Sequence, residues 1–156
     1  CKRTPNEKVR LFLHRLMEKM EIYPSPTIQF TSGSIVDSTY IQIKGQKLGL
    51  LIGKKGRTLD SLQHLVNLVA NQDTKQPVRY ILDVNGYRKK RERLLLQLVK
   101  RVSRIVKKER KAVKLEPMSS FERKVIHMLV DQDPDLTTMS EGIEPNRSVV
   151  VKLKNP

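Results

Sequence analysis

Apolar positions in the first part of the chain recur at helical spacing and then at alternate positions. A helix is predicted to begin at Thr4, with Pro5 in its first turn, and to end at the proline-rich stretch 23–26. Its apolar face comprises Val9, Phe12, Leu13, Leu16, Met17 and Met20. Strands are predicted at 27–30 and 38–44, with a turn at 31–34 between them.

The next stretch predicts two helices joined by a tight turn. Apolar residues up to Ile52 stop abruptly at Gly53, and a helical apolar pattern resumes after Gly56. That second pattern comprises Leu59, Leu62, Leu65, Val66 and Val69. After a polar break at 71–77, alternating apolar and polar residues predict a third strand at 78–83. The predicted order is therefore helix, strand, strand, helix, turn, helix, strand.

The segment 86–114 predicts a long helix with one apolar and one basic face. It holds thirteen basic residues and only two acidic ones, and like charges at helical spacing repel each other unless an anion relieves them. The apolar stripe comprises Leu94, Leu95, Leu98, Val102, Ile105 and Val106. The basic face is predicted to contain Arg93, Lys100, Arg104, Lys107 and Lys111. A solvated surface helix is the alternative, as is a calmodulin-type or membrane-surface helix, although these usually carry apolar aromatic residues.

The last part of the chain predicts one more helix and two strands. Ser119 with Glu122 three positions later has the pattern of a capping box. The apolar face of this helix is predicted to comprise Phe121, Val125, Met128 and Leu129. An acidic turn at 131–135 should end it, and strands are predicted at 136–140 and 148–153. The whole chain therefore predicts an α+β protein with domains at 1–84 and 85–156.

Composition narrows the class of partner. The chain has 31 Lys and Arg against 16 Asp and Glu, a net charge of +15. A charge of this size predicts an anionic partner, nucleic acid first and an acidic membrane surface second. No apolar run approaches the roughly 20 residues that cross a bilayer, so membrane insertion is not expected.

The cysteine and histidine content bears on the cellular compartment and on metal binding. The single cysteine, Cys1, excludes an internal disulfide and favours a reducing cytoplasm. One Cys and three scattered His argue against a structural zinc site, and no metal or other cofactor is expected. Because the chain begins with Cys rather than Met, we expect it to be a piece of a longer protein.

The turn Gly53-Lys54-Lys55-Gly56 is the most informative motif. Its glycines permit backbone conformations and close approaches that side chains forbid. Its two lysines and Arg57 place positive charge beside the free N–H groups at the start of the following helix. A sugar-phosphate strand would meet donors and charge there, with Ile52 beside it to contact bases. A P-loop needs four residues between its glycines and then Gly-Lys-Ser/Thr, a pattern that this stretch lacks. A basic turn with solvated lysines is the alternative interpretation.

A second motif lies on the last predicted helix. Arg123 and His127 stand four positions apart, so their side chains lie on one face of that helix. A guanidinium can bind phosphate through its fork, and an imidazole one turn away can donate to phosphate or stack on a base. Arg147 lies at the start of the final strand and adds a third candidate. The alternative is a partly buried His that is bonded to backbone.

Both parts of the chain resemble known nucleic-acid-binding domains. The element order of residues 1–84, with the Gly-Lys-Lys-Gly turn in place, is similar to a bacterial (type II) KH domain, which binds single-stranded RNA. Arg123-x-x-x-His127, the preceding basic helix and the run from Ser140 to Arg147 resemble the small domain named for its Arg-x-x-x-His motif. This pairing closely resembles the Jag family of SpoIIIJ-associated proteins (KhpB/EloR type). The resemblance implies a cytoplasmic bacterial RNA-binding protein linked to cell elongation and peptidoglycan synthesis, and a small single-KH protein as a partner.

These observations predict a non-catalytic binder of single-stranded RNA, with single-stranded DNA as the alternative ligand. The loop candidates are Ile52, Gly53, Lys54, Lys55, Gly56 and Arg57, and the second-domain candidates are Arg123, His127 and Arg147. Other functional classes are a protein-interaction scaffold that dimerises through its KH domain, and a nuclease. A nuclease would need a cluster of carboxylates or a poised base, and the acidic residues here fall in turns.

Overall fold

The computed structural model describes residues 3–33 and 38–154 and divides the chain into two compact units after Arg88. In chain order the elements are α1 (Pro5–Lys19), β1 (Thr27–Ser32), β2 (Ser38–Lys44), α2 (Gly49–Ile52), α3 (Arg57–Asn71), β3 (Arg79–Val84), α4 (Tyr87–Glu109), β4 (Val113–Lys114), α5 (Ser120–Val130), β5 (Leu136–Glu141) and β6 (Ser148–Leu153). The predicted α+β class is confirmed.

In the first unit, a three-stranded sheet packs one face against α1 and α3. The strand order is β1-β2-β3, with β1 antiparallel and β3 parallel to β2. Alternate residues Ile41, Ile43, Tyr80, Leu82 and Val84 are buried, as the period of two along a strand requires. Helices α1 and α3 complete this core with Val9, Leu13, Met17, Leu59, Leu62, Val66 and Ala70.

A ladder of three amide side chains covers the outer edge of β3. Asn71 donates to the Val78 carbonyl (2.9 Å) and accepts from its N–H (2.8 Å). Asn67 makes the same pair of bonds with Tyr80, at 2.9 and 2.8 Å. Gln63 accepts from the Leu82 N–H at 3.0 Å. The outward peptide groups of Val78 and Tyr80 and the Leu82 N–H, which an edge strand usually leaves unpaired, are thus bonded to side chains of α3, and the Leu82 carbonyl accepts from Arg88 Nε.

One predicted boundary in the first unit needs correction. The turn predicted at 31–34 is wrong at Thr31 and Ser32, because both residues continue β1 and pair with Tyr40 and Thr39 of β2. Ser34 lies outside the described residues. The first helix begins as predicted, since the Thr4 hydroxyl accepts from the Glu7 N–H and the Glu7 carboxylate accepts from the Thr4 N–H. The bond from the Thr4 N–H to the Glu7 carboxylate lowers the pKa of Glu7, and the Thr4 side chain adds to this effect.

In the second unit, α4 and α5 pack against a sheet of order β4-β6-β5. The predicted stripe on α4 is partly wrong, because Leu94 is 54% exposed and Ile105 is 37% exposed. The buried line comprises Leu95, Val99, Val102 and Val106. The helix also ends earlier than predicted, at Glu109, since the chain turns at Arg110 (φ 53°) and pairs Val113 with Val151 of β6. Lys111 therefore lies beyond the helix and not on its basic face.

The face of α5 that enters the core also differs from the prediction. Phe121 and Met128 are exposed, at 51% and 60%. The buried residues are Glu122, Arg123, Ile126 and Val130, which follow one helical line. Hydrophobicity alone missed this face because two of its members are charged. Ser119 accepts from the Glu122 N–H as predicted, but the Glu122 carboxylate pairs with Arg91 of α4, so only half of the capping box forms.

Candidate nucleic-acid interface

The Gly-Lys-Lys-Gly loop is a tight turn between α2 and α3. Gly53 ends α2 with φ 70° and ψ −174°, and a 3₁₀ turn over Lys54–Gly56 leads into α3. Lys55 and Gly56 also have positive φ, at 54° and 77°. Three of four consecutive residues thus have backbone conformations that L side chains disfavour. Glycine adopts them without strain, so only Lys55 carries a cost, of about 1–3 kcal/mol.

Neither glycine of the loop has room for a side chain. A Cβ added at Gly53 would overlap the Thr58 hydroxyl and lie 3.0 Å from the Thr58 backbone nitrogen. A Cβ at Gly56 would lie 2.8 Å from Cε1 of Tyr87. Gly56 is buried as a consequence, and the loop packs closely on both the start of α3 and the start of α4. Glycine is therefore needed at both positions for two reasons, the positive φ and the lack of space for a Cβ.

The loop presents its charge unevenly. Lys54 and Arg57 are exposed, whereas Lys55 and Ile52 are half-buried, and Ile52 packs against the first core. The first turn of α3 also contains an acidic residue, Asp60, which would repel a phosphate. Arg88 offsets this charge because its Nη1 donates to Asp60 at 3.0 Å. The sequence did not identify Tyr87 and Arg88 as residues that support the loop. Both lie about thirty residues after it in the chain, at the start of a basic run.

Arg123 is buried and already paired. The residue is 7% exposed. One guanidinium nitrogen donates to the Met118 carbonyl at 2.7 Å, and the other pairs with the Glu144 carboxylate at 2.7 Å. Arg123 thereby ties the start of α5 to the turn between β5 and β6. Charge neutralisation by Glu144 explains how a guanidinium can be buried here.

His127 is likewise engaged on both ring nitrogens. Nδ1 lies 2.6 Å from the Thr138 hydroxyl and Nε2 lies 2.8 Å from the Ser140 hydroxyl. Both hydroxyls belong to β5, one strand period apart, so the ring spans the strand that follows the helix. The partners are side chains rather than the backbone groups of the alternative interpretation.

Arg147 and much of α4 present their charge to solvent. Arg147 is exposed, and its carbonyl accepts from the Met118 N–H at 3.2 Å. Arg93, Lys100 and Arg104 are exposed on α4, and Lys111 is exposed beyond it. Lys107 differs from them because it pairs with Asp133 at 2.7 Å and with Asp135 at 3.1 Å.

Two further observations concern the chemistry available. Within 3–33 and 38–154, no three His, Cys, Asp or Glu side chains are grouped to hold a metal ion. In the same ranges, none of the helices combines the length and the apolar character that crossing a membrane requires.

Comparison with known proteins decides the family. Residues 7–84 match the sequence model of the KhpA/KhpB KH domain, and residues 93–153 match that of the R3H domain. The chain belongs to the KhpB family. A KhpB-family relative from Clostridium symbiosum, named RNA-binding protein KhpB, is 36% identical over 98% of this chain and 68% of its own length. The protein of the same name from Bacillus subtilis is 33% identical over 96% of this chain and 71% of its own length.

A third KhpB-family relative covers less of the chain. RNA-binding protein KhpB of Lactiplantibacillus plantarum is 44% identical over 69% of this chain and 34% of its own length. The predicted resemblance to the Jag family, with a KH domain followed by an Arg-x-x-x-His domain, is confirmed by these matches.

Proposed function

We propose that this KhpB-family protein binds single-stranded RNA without catalysing a reaction. The observation that carries the proposal is the Gly-Lys-Lys-Gly loop, where exposed Lys54 and Arg57 flank a bare, glycine-dependent backbone at the start of α3. Helix N–H groups and cations together suit a phosphate. The name RNA-binding protein, carried by relatives that match most of this chain, supports RNA as the ligand.

We assign binding to two modules, at 1–84 and 85–156. In the first, Lys54, Lys55 and Arg57 neutralise phosphates, while Gly53 and Gly56 let the strand approach and Ile52 contacts a base. In the second, Arg147 and the exposed α4 residues Arg93, Lys100 and Arg104 contact phosphates. Arg123 and His127 hold the turn and the strand beside them, and Arg123 reaches a phosphate only by exchanging Glu144 for it. Two linked modules raise each other's effective concentration.

Charge reversal at the loop tests the proposal. In the variant Lys54→Asp with Lys55→Asp, affinity for a single-stranded RNA oligonucleotide should fall by about 100-fold or more, because two phosphate contacts become repulsive. The matched control is Lys19→Asp with Lys75→Asp, which makes the same charge change at exposed positions of the same unit. Equal losses in the two folded variants, measured by fluorescence anisotropy, would show that net charge rather than the loop governs binding.

Ligand class and catalysis are tested with the same oligonucleotide. A single-stranded DNA of matched sequence should bind more weakly than the RNA, and labelled RNA should stay intact when Mg²⁺ is added. Tighter binding to DNA would identify single-stranded DNA as the preferred ligand, and Mg²⁺-dependent cleavage would show that the protein is a nuclease. We further propose, on the family resemblance, a cytoplasmic role in controlling cell elongation and peptidoglycan synthesis.

Pairing between KH domains is a second proposed function. It rests on α3, whose Leu65 and Leu68 are 46% and 56% exposed one turn apart. Apolar side chains at this spacing suit a helix face that another KH domain covers, either a second copy or a small single-KH protein. Sedimentation equilibrium should show a dimer that Leu65→Lys abolishes. The proposal would be contradicted if the wild-type protein stayed monomeric at high concentration and also failed to bind a single-KH protein.

A further inference from the structure

A cleft in the second unit combines an apolar floor with a basic rim. It is an open groove of about 500 Å³ between α4 and the turn that follows α5. The floor includes Val99 and Leu129, and the turn contributes Gln132 and Pro134. Lys100 and Arg104 stand on the α4 side of the cleft. Its volume falls within the range of about 300–1,000 Å³ that is usual for small-ligand sites.

One wall of this cleft is fixed by an ionic contact that we call the lysine clamp, comprising Lys107, Asp133 and Asp135. The ammonium of Lys107 bonds to both carboxylates, and the Asp133 carboxylate accepts from the Asp135 N–H at 3.1 Å. The Asp135 carbonyl accepts from the Lys154 N–H at 2.8 Å, which joins the turn to the residue after β6. Hydrogen bonds from the clamp raise the pKa of Lys107 and lower that of Asp133. The lysine clamp pairs one cation with two of the three acidic groups of the turn.

Lys100 and Arg104 keep their charge available. Both are exposed and one helical turn apart, and within the described ranges neither has a salt-bridge partner. Like charges four positions apart on a helix repel each other, so an anion between them would stabilise the helix as well as bind to it. This pair therefore differs from Lys107, whose charge is neutralised inside the protein.

We propose that this cleft binds one nucleotide of a single strand, with the phosphate on Lys100 and Arg104 and the base on Leu129 and Pro134. A nucleotide joins a flat, largely apolar ring to an anion, which is the pairing of features that the cleft offers. Ser103 and Gln132 line the same space and can hydrogen-bond a base edge. The inference rests on the proposed RNA binding and adds to it a base contact made by residues outside the Arg-x-x-x-His motif.

Two double variants separate the cleft from the general charge of α4. Lys100→Gln with Arg104→Gln removes the rim, and Arg101→Gln with Lys108→Gln removes the same charge from exposed positions of α4 outside the cleft. The first should weaken RNA binding about tenfold and the second no more than about threefold. The slope of log affinity against log salt should fall by about 0.7 to 1.4 for the first variant.

Methyl and amide NMR on the wild-type protein tests the base contact. Titration with nucleoside 5′-monophosphates should shift the Leu129 methyl and Gln132 side-chain amide signals, whereas inorganic phosphate should not. Equal shifts from phosphate would reduce the cleft to an anion site, and shifts from an acidic peptide alone would assign it to a protein partner. Either result overturns the proposal.

The outcomes also separate this inference from the proposed function. If wild-type protein binds RNA and the two double variants lose affinity equally, only the cleft is wrong. If wild-type protein binds no single-stranded RNA at low salt, RNA binding itself is wrong.

Discussion

The two motifs of this chain use similar residue types in opposite ways. In the Gly-Lys-Lys-Gly loop, the glycines shape the backbone and leave Lys54 exposed. In the Arg-x-x-x-His motif, the arginine and histidine are themselves bonded inside the protein, to Glu144 and to two hydroxyls of β5. The first motif presents charge, and the second organises the segments that present it. A cation in a binding motif is therefore informative about contact with a ligand only once its internal partners are known.

The largest expected effect concerns the backbone of the loop. Gly53→Ala should destabilise the first unit by about 3 kcal/mol, because it adds strain at positive φ and a clash with Thr58. Gly49→Ala is the matched control, since a Cβ there meets no atom within 4 Å and alanine favours the helix. Denaturant unfolding should show the control as stable as wild type or slightly more so. A loss of similar size in both variants would contradict the account of the loop.

The next effect separates the organising arginine from the presenting one. Arg123→Ala should lower the free energy of unfolding of the second unit by about 2 kcal/mol, because the Met118 carbonyl loses its donor and the β5–β6 turn its tie. Arg147→Ala should change it by less than about 0.5 kcal/mol. For RNA affinity at a temperature where both variants are folded, Arg147→Ala should lower the salt slope by about 0.7. Stability loss in the Arg147 variant alone would reverse the assignment.

A smaller effect measures the histidine link. We expect His127 and Thr138 to be coupled by about 1 kcal/mol, the worth of one hydrogen bond between partly buried side chains. The cycle uses His127→Ala, Thr138→Val and their combination, with unfolding followed by circular dichroism. Strictly additive losses would mean that the bond between His127 and Thr138 contributes nothing.

The smallest effect is the pH dependence of the lysine clamp. The lowered pKa of Asp133 adds stability that is present above 3.8 and is lost as pH falls through the lowered value. The raised pKa of Lys107 adds stability that is present below 10.5 and is lost as pH rises through the raised value. Asp133→Asn should therefore destabilise the unit at neutral pH and match wild type at both extremes. Asp131→Asn, at an exposed neighbour, should be neutral throughout.

Much of the fold followed from periodicity, and the exceptions have physical causes. The strands at 38–44 and 148–153 and the start of α1 followed directly from alternation and capping. Prediction failed on α5, where paired charges at Glu122 and Arg123 occupy core positions that a hydrophobic pattern assigns to other residues. It failed again near Lys111, where a two-residue strand interrupts a basic run. Partners distant in sequence, such as Glu144 for Arg123 or Tyr87 beside Gly56, leave no local signal.

The amide ladder on β3 depends on a match between the repeat of a helix and the repeat of a strand. Four residues of an α-helix advance about 6 Å, and two residues of a strand advance about 6.6 Å. Because these two distances are nearly equal, each amide meets the backbone of one residue on the strand side: Gln63 that of Leu82, Asn67 that of Tyr80 and Asn71 that of Val78. A shift of α3 along the sheet would break all of these hydrogen bonds together. The ladder therefore also fixes the position of the glycine turn at the start of α3.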